Sequence, residues 1–292
     1  NYDLPENRRL LISSDRFSSF DQILTTIPLR GQVLTQLSKF WFEKTQDICP
    51  NHVLSYPDPN AVLCQSVNIL PIEMVVRDYI TGSTITSIWP MYQKGQRHMY
   101  GHDFPDGLHQ NEKLPDTILT PTTKGHGKGG DIPTSAQEIV NSGLMPAALW
   151  DEVAAVSLEL FKRGRDIAAQ NGLILVDTKY EFGLDTEGKL VLADEIHTPD
   201  SSRYWFADDY AQSFKNGTSP KFFVKEFIRR WVVAQCDPYK DTIPTIPDEI
   251  RLQTSEIYIQ AYEQITGQTF NWPDPSLPPE KRVYEAVKGL FE

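Results

Sequence analysis

The stretch Leu173-Ile174-Leu175-Val176-Asp177-Thr178-Lys179-Tyr180-Glu181-Phe182-Gly183 constrains this chain more than any other. Its leading aliphatic residues would bury a strand. Asp177, Lys179 and Glu181 then alternate with other residues, so a period of two puts all three on one face. The turn sequence Asp185-Thr186-Glu187-Gly188 follows, and a second apolar run over 190–196 contains Ala193-Asp194-Glu195. A two-residue hairpin loop at Glu187-Gly188 would set Glu181 directly opposite Asp194, with Cβ atoms about 5 Å apart. Any even-length loop keeps Asp194 on the face of Lys179 and Glu181. An odd loop turns it away.

Two carboxylates and a lysine on one face at the end of a buried strand are what a Mg-nucleotide site requires. Hard Mg²⁺ takes carboxylate and phosphate oxygens, and an ammonium offsets phosphate charge. A surface ladder of alternating ion pairs is the other reading of the same alternation. The aliphatic run beside these charges tilts against it, because unpaired charge beside a buried strand is costly.

Other clusters share this chemistry. Glu73-Met74-Val75-Val76-Arg77 sets an acid and an arginine around an apolar run, and Tyr79-Ile80-Thr81-Gly82-Ser83 follows. An arginine with a Gly-Ser turn can hold a phosphate through its guanidinium fork, backbone N–H groups and hydroxyl. A strand-end ion pair is the plainer alternative. Asp200-Ser201-Ser202-Arg203 is a second hydroxyl–arginine cluster, and Thr120-Pro121-Thr122-Thr123-Lys124 is a third polar loop. Gly125-His126-Gly127-Lys128-Gly129-Gly130 resembles a phosphate loop but follows no strand and opens no clear helix, so it reads as a mobile lid or spanning loop. His98, His102, His109 and His126 lack a cysteine partner or an ordered helix, which argues against zinc.

The chain has 292 residues, enough for one large domain or two ordinary ones without disulfides or metals to keep it folded. Lys and Arg number 28 against 39 Asp and Glu, a formal net charge of −11, which argues against nucleic-acid binding. No apolar run approaches the roughly 20 residues that span a bilayer, so no membrane association is expected. The polar opening Asn1-Tyr2-Asp3-Leu4-Pro5 carries no secretory signal. Cys49, Cys64 and Cys236, far apart and odd in number, read as reduced thiols of a cytoplasmic protein.

Leu10-Leu11-Ile12 predicts a strand entering a functional-looking turn, Ser13-Ser14-Asp15-Arg16. Helical spacing predicts a helix over 32–44, and 62–76 predicts two strands broken at Leu70-Pro71. Residues 90–142 predict mostly loop. The strongest helical stripe covers 144–171 and stops at Gly172; helices are also predicted over 221–235, 248–266 and 279–291. Strands first and helices later, with a buried hairpin between, predict an α+β fold rather than alternating βαβ units.

The stretch 175–183 and Asp194-Glu195-Ile196-His197-Thr198-Pro199-Asp200-Ser201-Ser202-Arg203-Tyr204-Trp205 resemble the two signatures of the SAICAR synthetase family. Ser14-Asp15-Arg16-Phe17-Ser18-Ser19-Phe20-Asp21, Ile27-Pro28-Leu29-Arg30-Gly31, the segment 77–83 and the loop 120–124 resemble the same family in order. The long C-terminal extension is similar to the monomeric type. The resemblance implies a small kinase-like antiparallel sheet domain over 1–75 and a larger ATP-grasp-like α+β domain over 76–292 with C-terminal helices, with ATP in the cleft between them. It implies a ligase that condenses L-aspartate with carboxyaminoimidazole ribonucleotide (CAIR) to give the succinocarboxamide SAICAR, ADP and phosphate, through an acyl phosphate. By motif position Glu181 and Asp194 would hold the nucleotide's Mg²⁺, Lys179 would sit near the phosphates, and Ile69 would lie against the adenine. Glu73 and Asp131 would serve the metal at the CAIR carboxylate. Arg77, Ser83, Ser202 and Arg203 would hold the ribose phosphate with Asp200 nearby, and Asp21 and Lys124 would contact substrate. The family opens with a Gly-Lys-Val-Arg-Asp hairpin over the ATP phosphates, and this chain reads from just after it. Its His-Asp pair after the Thr-Thr-Lys loop stands here as Gly130-Asp131. The rival enzyme is a small-molecule or inositol-phosphate kinase with a similar Mg-ATP site. The rival non-enzyme is a nucleotide-binding scaffold, which would be expected to have lost Lys179, Glu181 or Asp194.

Overall fold

The computed structural model describes residues 1–20, 22–82, 87–123, 131–221 and 225–291. The expected site residues Asp21, Ser83 and Lys124, and the glycine-rich run 125–130, lie outside the described residues.

The first third of the chain holds β1 (Tyr2–Leu4), β2 (Arg8–Ile12), β3 (Arg16–Ser19), β4 (Gln22–Thr26), α1 (Arg30–Thr45), β5 (Val53–Asp58), β6 (Ala61–Gln65) and β7 (Asn68–Ile80). The middle holds α2 (Ile88–Gln93), β8 (His98–Met99), β9 (His102–Asp103), β10 (Glu112–Leu119), β11 (Thr122–Thr123), β12 (Ile132–Pro133), α3 (Ala136–Asn141), α4 (Ala147–Gln170), β13 (Leu173–Leu184), β14 (Leu190–Ala193) and β15 (Ser202–Phe206). The end is helical: α5 (Ala207–Lys215), α6 (Lys225–Gln235), α7 (Asp248–Thr266) and α8 (Pro279–Val287).

This is the expected α+β fold. One antiparallel sheet has the order β1-β2-β6-β5. The other runs β12-β11-β7-β13-β14, with β10 also on β7 and β15 also on β13. The main core joins the larger sheet to α1, α4 and α7 through Leu37, Trp41, Met74, Val76, Leu160, Phe161, Tyr180, Phe182 and Tyr258. A smaller core joins Leu4, Leu10, Ala61 and Leu63 to Val283 and Val287 of α8. Burial of each such aliphatic side chain contributes about 1.5–3 kcal/mol. Arg282 locks α8 in place, with Nε 2.9 Å from the Asp58 carboxylate.

Four expectations need correcting. The strand break falls at Ser66-Val67, not at Leu70-Pro71. Pro71 lies inside β7, where the register with β13 shifts between Glu181 and Gly183. At such an irregularity the missing N–H of a proline costs little. The division expected between residues 75 and 76 falls inside β7, which runs across it unbroken. The loop region 90–142 contains β10, whose pairing with β7 shifts between Lys113 and Ile118 around Pro115 and so shows no clean alternation in sequence. The turn at 13–16 is a helix cap: the Asp15 carboxylate accepts from the backbone N–H groups of Leu29 at 3.2 Å and Gly31 at 2.9 Å, satisfying donors that open α1.

Candidate active site

The register between β7 and β13 builds the charged face. It places Glu181 opposite Glu73, Lys179 opposite Val75, and Asp177 opposite Arg77. Gly183 continues the strand past Val67 because an added Cβ would lie 2.6 Å from the Val67 side chain.

Lys179 Nζ donates to Glu73 Oε1 at 2.9 Å and to Glu181 Oε1 at 3.3 Å. Burial disfavours its charged form, but the hydrogen bond and charge of Glu73, then the charges of Glu181 and Asp194, outweigh that and hold the ammonium above the ordinary lysine range. Glu73 is buried, and burial raises its pKa; Lys179 pulls it down, while the charges of Asp131 and Glu181 push it further up. Three acids thus act on one lysine, with Asp131 acting on Glu73 beside them, and the excess negative charge is what a divalent cation would offset.

The hairpin corrects the expected register. Leu184 pairs with Leu190, Asp185 N donates to Lys189 O at 3.0 Å, and Gly188 carries φ 80°. The loop is odd in length, and Glu181 pairs with Ala193 rather than Asp194. On a continued ladder Asp194 would face away. Instead β14 ends at Ala193, and Asp194 takes a left-handed conformation with φ 62°. Its charge acts on Lys179 all the same.

Beyond Lys179 the same face carries a second cluster. Arg77 donates to Asp177 Oδ2 at 2.7 Å and to Thr120 Oγ1 at 2.8 Å. Arg203 lies 3.6 Å from the same carboxylate oxygen and donates to Thr81 Oγ1 at 3.1 Å. Two guanidiniums share one carboxylate, leaving one positive charge to meet an anion. Arg77 is buried, whereas the Arg203 side chain is 34% exposed. Arg77 and Arg203 therefore come together at Asp177, whereas Ser202 Oγ lies 2.7 Å from Thr178 Oγ1, on the alternate face of the paired strands.

Asp200 is placed otherwise. It is ion-paired with Arg30 and accepts from Tyr258 Oη at 2.8 Å, so it ties the signature loop to α1 and α7. Ile69, 44% exposed, stands opposite Gly183 at the far end of β7. Three of the loop histidines have individual partners: His98 pairs with Asp103, His102 with the Leu119 carbonyl, and His109 with Glu112. His126 lies outside the described residues.

Sequence reasoning missed two buried imidazoles beside Asp194. His197 Nε2 is hydrogen-bonded to Tyr180 Oη, Tyr204 Oη donates to its carbonyl at 2.7 Å, and Gly164 makes room for the ring, since a Cβ there would lie 2.3 Å from His197 Cε1. The glycine in mid-helix was the available signal, because it costs about 1 kcal/mol there without a packing reason. The imidazole of His52 reaches the Asp194 backbone. Burial lowers His52 to about 4 and His197 to about 3. Both stay neutral when folded and take a proton near pH 6.5 when unfolded, so their stabilisation is present above that pH and is lost as pH falls. At pH 5 each should cost about 2 kcal/mol relative to pH 7. Urea unfolding of wild type and His197→Gln at both values checks this: the variant should lose about 2 kcal/mol less.

Among the described residues no three acidic, histidine or cysteine side chains converge into a preformed metal site. The carboxylates of Glu73, Glu181 and Asp194 around Lys179 are hard oxygen donors, the donor type that Mg²⁺ accepts alongside phosphate and water.

The family profile of SAICAR synthetase matches residues 1–246. A phosphoribosylaminoimidazole-succinocarboxamide synthase of Legionella pneumophila is 48% identical over 288 residues, covering 98% of this chain and 91% of that protein. The chloroplastic enzyme of that name from Arabidopsis thaliana is 46% identical over 279 residues, covering 95% and 66%. The solved SAICAR synthase of Saccharomyces cerevisiae, complexed with SAICAR, superposes with TM-score 0.80 at 30% identity over 93% of each chain. A SAICAR synthetase solved with ADP, 22% identical with TM-score 0.67 over 92% of this chain and 95% of that one, shares the fold. The chain belongs to the SAICAR synthetase family, as its motifs led one to expect.

Proposed function

We propose that the Glu73–Lys179–Glu181–Asp194 cluster takes the metal-bound nucleotide and the Arg77–Arg203 cluster takes the phosphate of a carboxylated ribonucleotide. The chain is then an ATP-dependent carbon–nitrogen ligase of purine biosynthesis, joining L-aspartate to CAIR to give SAICAR, ADP and phosphate. The observation that carries this reading is one strand face with two neighbouring charge clusters, one acidic around Lys179 and one basic around Asp177. Membership of the family and the SAICAR-bound yeast relative support the same substrates.

A carboxylate does not accept an amine in water, because its oxygen is a poor leaving group. Transfer of the γ-phosphoryl group to a CAIR carboxylate oxygen gives an acyl phosphate. The aspartate nitrogen attacks the acyl carbon, the C–O bond breaks, and phosphate departs with that oxygen as the nitrogen gives up a proton. Lys179, held charged, offsets the phosphoryl charge. Arg77 and Arg203 fix the ribose phosphate, which holds the carboxylate in line. Bound Mg²⁺ would offset phosphate charge, with Glu181 and Asp194 as ligands at the nucleotide and Glu73 and Asp131 at the CAIR carboxylate. Ile69 would pack on the adenine, and Asp21, Ser83, Lys124 and Asp200 would complete the substrate contacts. The sheet of β1, β2, β6 and β5 would cover the nucleotide from the other side of the cleft.

Among the described residues no helix is long and apolar enough to cross a membrane. The three cysteines are unpaired, which suits a reducing cytoplasm. A monomer is supported by α8, which covers the smaller sheet from within the same chain.

The test labels the CAIR carboxylate with heavy oxygen and weighs the released phosphate by mass spectrometry. One labelled oxygen is expected in phosphate for each amide formed. Unlabelled phosphate with amide still produced would contradict the acyl-phosphate route.

A further inference from the structure

His52 stands where the two sheets meet. Leu192 N donates to Pro50 O at 2.8 Å and His52 N donates to Leu192 O at 3.0 Å, with a parallel bridge between Asn51 and Leu192. On the other side Gln65 N donates to His52 O at 2.8 Å. Residues 50–52 therefore stitch the edge strand β14 to β6 of the smaller sheet.

The ring of His52 is buried and packs at 5.7 Å against Phe42. Its Nε2 lies 3.7 Å from Cys64 Sγ. Its hydrogen bond to the Asp194 backbone falls where β14 ends and the chain turns left-handed at φ 62°. That conformation is strained for a non-glycine residue unless its surroundings hold it. Without the turn, the odd hairpin loop would send the Asp194 side chain to the face opposite Lys179.

We propose that His52 is a positioning residue for the reaction: its imidazole, oriented by Cys64, holds the left-handed main chain at Asp194 and so aims that carboxylate at Lys179 and the nucleotide metal. The inference rests on the nucleotide-site reading above. It also gives a physical route by which the smaller sheet reports to the metal-binding turn, through a continuous line of hydrogen bonds from β6 to β14.

The test measures binding of Mn²⁺ with a non-hydrolysable ATP analogue to the full chain, by electron paramagnetic resonance, alongside circular dichroism and thermal unfolding. The proteins are wild type, Asp194→Asn, His52→Phe and His52→Gln. His52→Phe should weaken Mn²⁺ binding roughly tenfold while remaining folded, the size expected when a group orienting a metal ligand is lost. His52→Gln, which keeps an N–H donor, should recover most of it at whatever thermal stability it shows. If His52→Phe does not fold, His52→Ser is measured in its place with the same expectation. Wild-type affinity in the donor-less variant, with Asp194→Asn weakened, overturns the inference and leaves the nucleotide site standing. Equal weakening in Phe and Gln variants also overturns it, since packing alone would then explain the loss. Wild-type affinity in Asp194→Asn instead removes the nucleotide-site reading itself, and the role of His52 with it.

Discussion

Glu181→Gln and Asp194→Asn should each lower turnover at least about 10²-fold while leaving the fold intact. Each substitution keeps shape and removes one negative charge. Glu181 loses its charged contact with Lys179, at 3.3 Å in the native chain. Asp194 loses the charge that its left-handed backbone brings toward the same lysine. Neither residue belongs to the main apolar core, so unfolding midpoints should move little. Turnover measured at saturating Mg²⁺ separates a lost ligand from weakened binding. Near-normal rates in both variants would remove these carboxylates from the metal site.

Asp177→Ala should destabilise the fold by about 3–5 kcal/mol, the cost of leaving a buried ion without its partner. Asp177 and Arg77 are both buried, 2.7 Å apart, and burial already lowers the Arg77 pKa against the opposing pull of Asp177. Without the carboxylate, Arg77 and Arg203 face each other with Thr120 and Thr81 as neutral partners. Inorganic phosphate should restore part of the loss by meeting both guanidiniums, and restore it more than it stabilises wild type. Urea unfolding with and without phosphate measures both effects. A loss below about 1 kcal/mol would mean that the pair contributes little, and an absent phosphate effect would place the anion elsewhere.

The elements legible in the sequence were those with a clear period and a clear stop. The helix ending at Gly172 and the strand over 173–184 needed only spacing and punctuation, and α7 fell on 248–266 as expected. The charged face was legible because alternation along β13 is a local property. Its partner strand was not, since nothing in sequence fixes the register that sets Glu73 opposite Glu181. Pro71 misled because a proline signals a break only where its N–H is needed, and the register shift removes that need. The hairpin expectation failed on one residue of loop length and was restored by one left-handed residue, a compensation that no period reveals. Asp200 was grouped with Arg203 by nearness in sequence, but Arg30 and Tyr258 claim it from distant parts of the chain. His52 was invisible for the same reason: it meets Asp194 only once both sheets are in place.

The most direct test of the central claim is ADP release by the full chain with ATP and Mg²⁺, with and without L-aspartate and CAIR. ADP should appear at an appreciable rate only when both are present, in equal amount with SAICAR. Steady ADP release with a hydroxyl-bearing acceptor and no aspartate, or none at all with the complete mixture, would contradict the account.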